Sequence, residues 1–264
     1  DARGRKQYRY HAEWHAVRHE TKFGRMLAFS AALPRIRRAI EADLSLPGLP
    51  RRKVLATVVH LLERTGIRVG NDEYARANDS YGLTTLRDHH VEIEGSRIMF
   101  EFRGKSGKPH AVDLDDRRLA RIVARCQSIP GEELFQYLDA EGTRQVVGSG
   151  DVNAYIREIA GDDFSAKDFR TWAGTMLACE ALVAAGPPHS ARAAKAHVNR
   201  AIDQVAERLN NTRAVCRKYY VHPEVLAAYA EGQLAAALGR RQKARAGLAR
   251  LEGKVLRLLQ ERAA

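Results

Sequence analysis

The sequence predicts an α+β protein that is mostly α-helical, with a small antiparallel sheet and a hairpin between residues 82 and 114. Apolar residues recur at helical spacing along most of the chain, whereas this stretch consists of short, partly alternating, β-branched segments. The 264 residues are 45% hydrophobic, enough for one large domain or two small lobes with a proper core. We therefore expect a soluble helical protein built around one small sheet.

Two helices are predicted before the sheet, in a helical lobe that spans residues 17–66. Apolar positions at helical spacing run from Glu20 to Leu44, and the segment LPGLP, from Leu46 to Pro50, then breaks the helix. A second helix, from Arg51 to Arg64, carries a broad apolar face and ends before Gly66. These two helices are expected to pack against each other.

Four short strands are predicted next, because β-branched residues cluster there and Gly95 lies in a tight connection. The last turn, from Gly104 to Pro109, forms a hairpin tip that holds two lysines and two glycines. The predicted strands are Leu83 to Leu86, His90 to Ile93, Arg97 to Arg103 and His110 to Leu114.

Helical periodicity returns after the sheet. His222 and Pro223 are expected to kink the helix predicted from Arg213 to Tyr219, or to begin a new one, because proline disfavours helical geometry in the residue before it. From Leu234 to Leu259 leucines recur at roughly heptad spacing among basic residues, which fits a packed amphipathic helix, a DNA-binding arm or a coiled-coil segment. The five predicted helices before this tail are Asp116 to Cys126, Val152 to Ala160, Ala166 to Ala184, Ala191 to Leu209 and Arg213 to Tyr219.

The charge balance favours a polyanionic partner. Lysine and arginine number 44 against 32 acidic residues, a formal net charge of +12 and a pI of about 9.9. Nucleic acid is the first candidate, and a basic surface kept for solubility is the alternative.

The three cysteines are far apart and form no zinc-ligand pattern, which indicates free buried thiols in a reducing cytoplasm. The sequence shows neither a membrane-spanning run nor a signal peptide, and its polar, basic start indicates that a segment precedes it.

Four segments carry residue types that suit phosphodiester chemistry without a metal. Such a reaction requires cations for the non-bridging oxygens, a nucleophile, and an acid for the leaving 5′ oxygen. The segments are TGIRVGN with Arg68 and a following Tyr74, the hairpin tip with Lys105, KDFRTW with Arg170, and NTRAVCRKYYVHP, which ends in adjacent tyrosines.

In this order the four segments resemble the signature segments of type IB DNA topoisomerases of the bacterial and poxvirus kind, and the resemblance spans nearly the whole chain. It implies the helical catalytic domain of the topoisomerase IB and tyrosine recombinase type. It also implies that Arg68 and Arg170 bind the scissile phosphate, that Lys105 protonates the leaving 5′ hydroxyl, and that a tyrosine forms a covalent bond with the 3′ phosphate. Lys108 is a rival for Lys105, but the segment FRGK from Phe102 to Lys105 fits the family better.

The nucleophile is either Tyr219 or Tyr220, because neighbouring helical residues point about 100° apart and only one faces the phosphate. The family tyrosine precedes a small aliphatic residue and then His-Pro, which favours Tyr220. Asn211 stands where eukaryotic and viral members carry a histidine. An amide can donate a hydrogen bond to a phosphate oxygen but cannot shuttle a proton. We therefore expect a purely hydrogen-bonding role for Asn211.

The resemblance also implies a partner and a division of the chain. The partner is duplex DNA, bound by a monomer without cofactor, metal or membrane, in the cytoplasm at the nucleoid. Residues 1–16 form a basic linker that contacts DNA, residues 67–232 the catalytic region and residues 233–264 a basic amphipathic C-terminal helix, while an N-terminal β-rich clamp domain is expected to be missing. Contacts that are mostly to phosphates predict strong salt dependence. The expected DNA-binding residues are Arg5, Lys6, Gln7, Tyr8, Asn71, Tyr74, Lys108 and Lys167.

Other interpretations remain. Taken singly, Arg68 fits a helix cap, Arg170 a helical salt bridge and Lys105 a solvated hairpin lysine. A tyrosine recombinase shares the catalytic set, but recombinases commonly carry H-x-x-R where this chain has KDFR, from Lys167 to Arg170. A non-catalytic DNA-binding protein on the same fold is the third possibility, and the complete catalytic set argues against it.

Overall fold

The computed structural model describes residues 12–239 and 247–263, and for residues 12–22 it describes the helical backbone. These ranges are mostly α-helical, with a small antiparallel sheet, as the sequence predicts. None of the helices in them is long and apolar enough to span a membrane. The helices of the described residues are α1 (Ala12–Leu44), α2 (Arg51–Thr65), α3 (Asp72–Asn78), α4 (Arg117–Gln127), α5 (Ser149–Ala160), α6 (Ala166–Ala184), α7 (Ala191–Arg208), α8 (Arg213–Tyr219), α9 (Pro223–Ala230), α10 (Leu234–Gly239) and α11 (Arg250–Ala263).

Helix α2 lies at the centre of the core. Its apolar positions, such as Leu55, Val58 and Leu62, are buried almost completely, against α1, α4, α5 and α6. A helix that is apolar on most sides has to be surrounded in this way. Gly66 ends α2 in the left-handed conformation, at φ 70°, with its N–H donated to the carbonyl of Leu62. This cap turns the chain towards the sheet.

The main sheet has three antiparallel strands in the order β1 (Val91–Glu94), β2 (Arg97–Arg103) and β3 (Pro109–Asp115). Strands β2 and β3 form the expected hairpin, in which Phe102 lies opposite His110. A separate two-stranded hairpin, β4 (Gln136–Leu138) with β5 (Arg144–Val146), was not predicted from the sequence. Its strands are only three residues long, too short for a period of two to be recognised.

The predicted strand from Leu83 to Leu86 is wrong. Residues Leu83–Thr85 form a single 3-10 turn. The N–H of Leu83 bonds to the carbonyl of Arg68, at 2.8 Å, and the hydroxyl of Thr85 accepts the N–H of Gly82, at 2.9 Å. Threonine hydroxyls compete in this way with a strand ladder, so a β-branched run forms a turn here.

The predicted single helix from Leu234 to Leu259 is two helices in the structure, α10 and α11. Between them Gly247 adopts a left-handed φ of 78°, which a continuous helix does not contain. Helix α11 packs against α1, α6, α9 and α10 and buries Val255, Leu258 and Leu259. Of the three interpretations of the tail, the described part of α11 corresponds to the packed amphipathic helix.

Candidate active site

Seven of the residues singled out in the sequence line one groove, of about 520 Å³. The groove lies between the end of α2, the start of α3, the β2–β3 hairpin, the first turn of α6 and the end of α8. The seven residues are Arg68, Asn71, Tyr74, Lys105, Lys167, Arg170 and Tyr220. They come from four separate stretches of sequence, so only the fold brings them together.

Arg68 is held by its backbone just past the end of α2. Its carbonyl accepts the N–H of Leu83, and a Cβ added to Gly82 would lie 2.7 Å from that same oxygen. Only glycine permits this close crossing of two chain segments. The Arg68 side chain does not cap α2: it donates to Asn211 Oδ1 at 2.8 Å, and Nη1 lies 3.5 Å from the hydroxyl of Tyr220.

Arg170 projects from the second turn of α6 and is buried, with 3% of its surface exposed. It donates to the carbonyl oxygens of Gly66 and of Leu209, the latter at 2.9 Å, and so joins the ends of α2 and α7. Both acceptors are neutral carbonyls, so the helical salt bridge considered from the sequence does not describe this residue. Its Nε has no hydrogen-bond partner within the described ranges. A buried donor without a partner is costly in free energy, and here it belongs to a cation beside the groove.

Tyr220 is the tyrosine that faces the arginines. It follows α8 directly, is 7% exposed, and has the Arg170 guanidinium 5.3 Å from its ring centroid. Tyr219 instead has Lys218 Nζ 5.4 Å from its ring and is partly buried against the core. Burial raises the pKa of the Tyr220 phenol, but the charges and hydrogen bonds of Arg170 and Arg68 outweigh it and lower the pKa below its ordinary value. The site therefore makes the phenolate, the more nucleophilic form, easier to reach than it is for a free tyrosine.

The backbone of Tyr220 is seated on α6. Thr175 donates its hydroxyl to the Tyr220 carbonyl at 3.3 Å and accepts the N–H of His222 at 3.0 Å. A Cβ added to Gly174 would lie 2.6 Å from the same carbonyl oxygen. Gly174 therefore allows α6, which carries Arg170, to approach the tyrosine closely. Sequence reasoning missed Gly174 and Thr175, since nothing local to α6 indicates a contact 45 residues away.

Asn211 completes the contacts of Arg68. Its Oδ1 accepts from Arg68, while its Nδ2 is buried and has no hydrogen-bond partner among the described residues. Since a neutral amide nitrogen is only a donor, this group suits an added anionic acceptor. That geometry agrees with the hydrogen-bonding role expected for Asn211.

Lys105 and Lys108 lie on different sides of the hairpin tip. Lys105 is exposed on the groove, with Nζ 6.0 Å from the ring centroid of Tyr74. Ser106, with a φ of 66°, bends the tip tightly between the two lysines. Lys108 lines a neighbouring polar groove together with Asn211 and the Asn210 that precedes it. Lys105 is therefore the lysine on the side of Tyr220.

Of the remaining predicted DNA contacts, the structure describes Asn71 and Lys167 but not the four near the start of the chain. Asn71 caps α3 by accepting the N–H of Tyr74 at 2.8 Å, so its amide oxygen is already used. Lys167 lies on the first turn of α6 at the groove edge. Four predicted contacts lie outside the described residues: Arg5, Lys6, Gln7 and Tyr8.

Comparison with known proteins identifies similar chains. A family model described as the catalytic core of eukaryotic DNA topoisomerase I matches residues 11–246. DNA topoisomerase 1B of Acanthamoeba polyphaga mimivirus is 31% identical over 236 residues, which cover 87% of this chain and 70% of the viral protein. DNA topoisomerase 1B of Vaccinia virus (strain Copenhagen) is 28% identical over 142 residues, 52% of this chain and 45% of that protein. DNA topoisomerase 1 of Daucus carota is 26% identical over 126 residues, 46% of this chain and 15% of that protein.

Proposed function

The chain belongs to the type IB DNA topoisomerases, and on this premise we propose that it relaxes supercoiled duplex DNA by cutting and resealing one strand through Tyr220. One observation carries the proposal. The Tyr220 hydroxyl lies 3.5 Å from Arg68 Nη1, and its ring lies over the Arg170 guanidinium, at the wall of a groove that also holds Lys105. Nucleophile, cations and acid thus share one surface.

The two arginines supply the electrostatic part of the reaction. As Tyr220 attacks, negative charge builds on the non-bridging oxygens of the phosphate, and preorganised cations stabilise it most where water is excluded. Arginine suits this role because its planar group donates paired charge-assisted hydrogen bonds and stays protonated. Burial and the neighbouring Arg68 lower the pKa of Arg170, but arginine remains charged at any physiological pH. The orphaned Arg170 Nε and Asn211 Nδ2 are the donors that a phosphate would satisfy.

The covalent step exchanges one phosphodiester for another. The Tyr220 Oη forms a bond to phosphorus as the bond from phosphorus to the 5′ oxygen breaks, and the phenolic proton passes to solvent. Lys105 Nζ donates a proton to the leaving 5′ oxygen. The product is a 3′-phosphotyrosine and a 5′ hydroxyl, and resealing reverses both transfers. The phosphotyrosine conserves the bond energy, so supercoiling alone drives relaxation, without ATP or metal.

The kind of enzyme, its location in the cell, its oligomeric state and its DNA contacts are part of the same proposal. The proposal is a bacterial kind of enzyme that acts in the cytoplasm at the nucleoid, with Asn211 where eukaryotic and viral members usually carry a histidine. The net charge of +12 supports a monomer that binds duplex DNA mainly through phosphates. Lys167 and Tyr74, at the edge of the groove, are proposed contacts. Sedimentation of the protein with and without a short duplex tests the monomer.

Plasmid relaxation in the presence of a metal chelator and without ATP tests the activity. We expect full relaxation, and a covalent adduct on the 3′ side of the nick in a labelled suicide duplex. Tyr220→Phe removes only the hydroxyl and should abolish the adduct while duplex binding persists. Tyr219→Phe is the matched control and should relax DNA normally.

Three results would contradict the proposal. An adduct at the 5′ end, or a requirement for Mg²⁺ or ATP, would exclude type IB chemistry. Loss of the adduct in Tyr219→Phe but not in Tyr220→Phe would make Tyr219 the nucleophile. Exchange of strands between two duplexes at a defined site would favour the recombinase alternative.

A further inference from the structure

His110 occupies a structural position beside the hairpin tip that the mechanism above does not use. Its ring stacks on Phe102, its partner across the hairpin, with centroids 4.8 Å apart and planes 4° from parallel. The edge of the ring that carries Cδ2 and Nε2 lies against Gly104: a Cβ added there would lie 2.7 Å from His110 Nε2 and closer still to Cδ2. The imidazole therefore contacts both a core phenylalanine and the residue immediately before Lys105.

The hairpin tip is tied to the catalytic groove from this side. The N–H of Gly104 donates to the carbonyl of Lys108 at 2.7 Å, which closes the turn. Asn210 Nδ2 donates to the carbonyl of Pro109 at 3.0 Å, which joins the hairpin to the segment that carries Asn211. The packed ring and the hydrogen bond from Asn210 are thus two of the contacts that restrain the turn.

The imidazole is uncharged at neutral pH. Burial, together with the positive charges of Arg170 and Arg68, lowers the pKa of His110 to about 4. A neutral flat ring fills the space next to the arginine pair without adding a third positive charge there. At physiological pH, the His110 ring therefore contributes to the site through its shape and packing and not through charge.

We propose that His110 is a positioning residue for the cleavage step: stacked on Phe102 and in contact with Gly104 through its ring edge, it orients the hairpin turn so that Lys105 faces the leaving 5′ oxygen. The inference rests on the proposed role of Lys105 as the general acid. It assigns no proton transfer to His110 itself, and the proton donated to the 5′ oxygen still comes from Lys105 Nζ. Misplacing a catalytic group by about 1 Å costs on the order of 100-fold in rate, so loss of the supporting ring should slow cleavage measurably.

The test compares two suicide duplexes that differ in one atom, the bridging 5′ oxygen or a sulfur in its place. A thiolate leaves without protonation because thiols are far more acidic than alcohols, so the sulfur duplex does not need the acid. On the oxygen duplex, we expect single-turnover cleavage by His110→Ala to fall about 10- to 100-fold. On the sulfur duplex, its rate should return to near that of the unmodified protein.

Matched variants separate shape from chemistry. His110→Phe keeps a flat ring stacked on Phe102 and next to Gly104 but has no nitrogens, and it should cleave the oxygen duplex far better than His110→Ala. Gly104→Ala pushes on the edge of the ring at Cδ2 and Nε2 and should show the same sulfur rescue. Lys105→Ala should be rescued by sulfur as well, and the variant with both Lys105→Ala and His110→Ala should be no slower on oxygen than Lys105→Ala alone.

Four outcomes would contradict the positioning role of His110 or the acid role of Lys105 on which it rests. If His110→Ala cleaves both duplexes slowly, whether through misfolding or through a direct contact with the phosphate, the positioning role is refuted. It is also refuted if His110→Ala cleaves the oxygen duplex at the unmodified rate, or if His110→Phe is as slow as His110→Ala. If sulfur rescues neither lysine nor histidine variant, the acid role of Lys105 itself fails.

Discussion

Substitution of Gly174 by alanine tests whether the close approach of α6 positions the nucleophile. The added Cβ would lie 2.6 Å from the Tyr220 carbonyl oxygen and 3.1 Å from the Tyr220 Cβ. An ordinary contact begins near 3.4 Å, so the helix and the tyrosine have to separate by about 0.8 Å. The obstacle is backbone, which cannot rotate away as a side chain would. Displacement of this size between reacting groups costs on the order of 100-fold in rate.

The assay is single-turnover cleavage of a suicide duplex, measured beside duplex affinity and thermal unfolding. We expect Gly174→Ala to lower the cleavage rate about 10- to 100-fold and the free energy of unfolding by about 1–3 kcal/mol, the usual cost of overpacking. Duplex affinity should change little, because the groove lysines are untouched. Gly24→Ala is the matched control: it changes another helical glycine, with nothing within 4 Å of the added Cβ. Its cleavage should be normal, and its stability should rise by about 0.5–1 kcal/mol.

Cleavage by Gly174→Ala at the unmodified rate would refute the reasoning, because Tyr220 would then tolerate a displaced α6. An equal loss in Gly24→Ala would show that the assay reports general helix stability. A loss of cleavage that scales with lost duplex affinity would place the effect in binding instead of in the position of Tyr220.

Two further predictions concern Asn211 and Glu252. Asn211→Ala removes the oxygen that accepts a hydrogen bond from Arg68 at 2.8 Å. It should slow single-turnover cleavage about 10- to 100-fold, which corresponds to the loss of a hydrogen bond to a charged group. Unchanged cleavage would mean that Arg68 is oriented without Asn211. Glu252→Gln weakens the buried contacts to Arg37 and Trp172 and should cost about 3 kcal/mol in chemical denaturation at neutral pH. Burial raises the pKa of Glu252, but hydrogen bonds from Arg37 and Trp172 lower it below its ordinary 4.5, so this stabilisation exists above pH 4.5 and is lost as the pH falls through the lowered pKa. The difference between the proteins should therefore shrink below pH 4.5, and a pH-independent difference would contradict the ionic account.

The general architecture was predictable because long helices leave a strong local signal. Apolar spacing located α2 within one residue at its C-terminal end, and proline with glycine located the break before it. The prediction of short elements failed because a few residues carry too little of this periodic signal. The turn at Leu83–Thr85 has strand-like composition, but its threonine hydroxyls and its contacts with residues 68 and 69 decide its shape.

By itself, the sequence determined which residue types are present and in what order: two arginines, a hairpin lysine and a tyrosine shortly before His-Pro, an order that resembles the type IB topoisomerases. Only the tertiary structure decided how they meet. Tyr220 and Arg68 are 152 residues apart in the chain, yet their polar atoms lie 3.5 Å apart. The roles of Gly174 and His110 depend on a carbonyl and a glycine supplied by other turns, and no local pattern encodes such a contact. Packing therefore decides which residues surround the phosphate site, because side-chain chemistry acts only over a few ångströms.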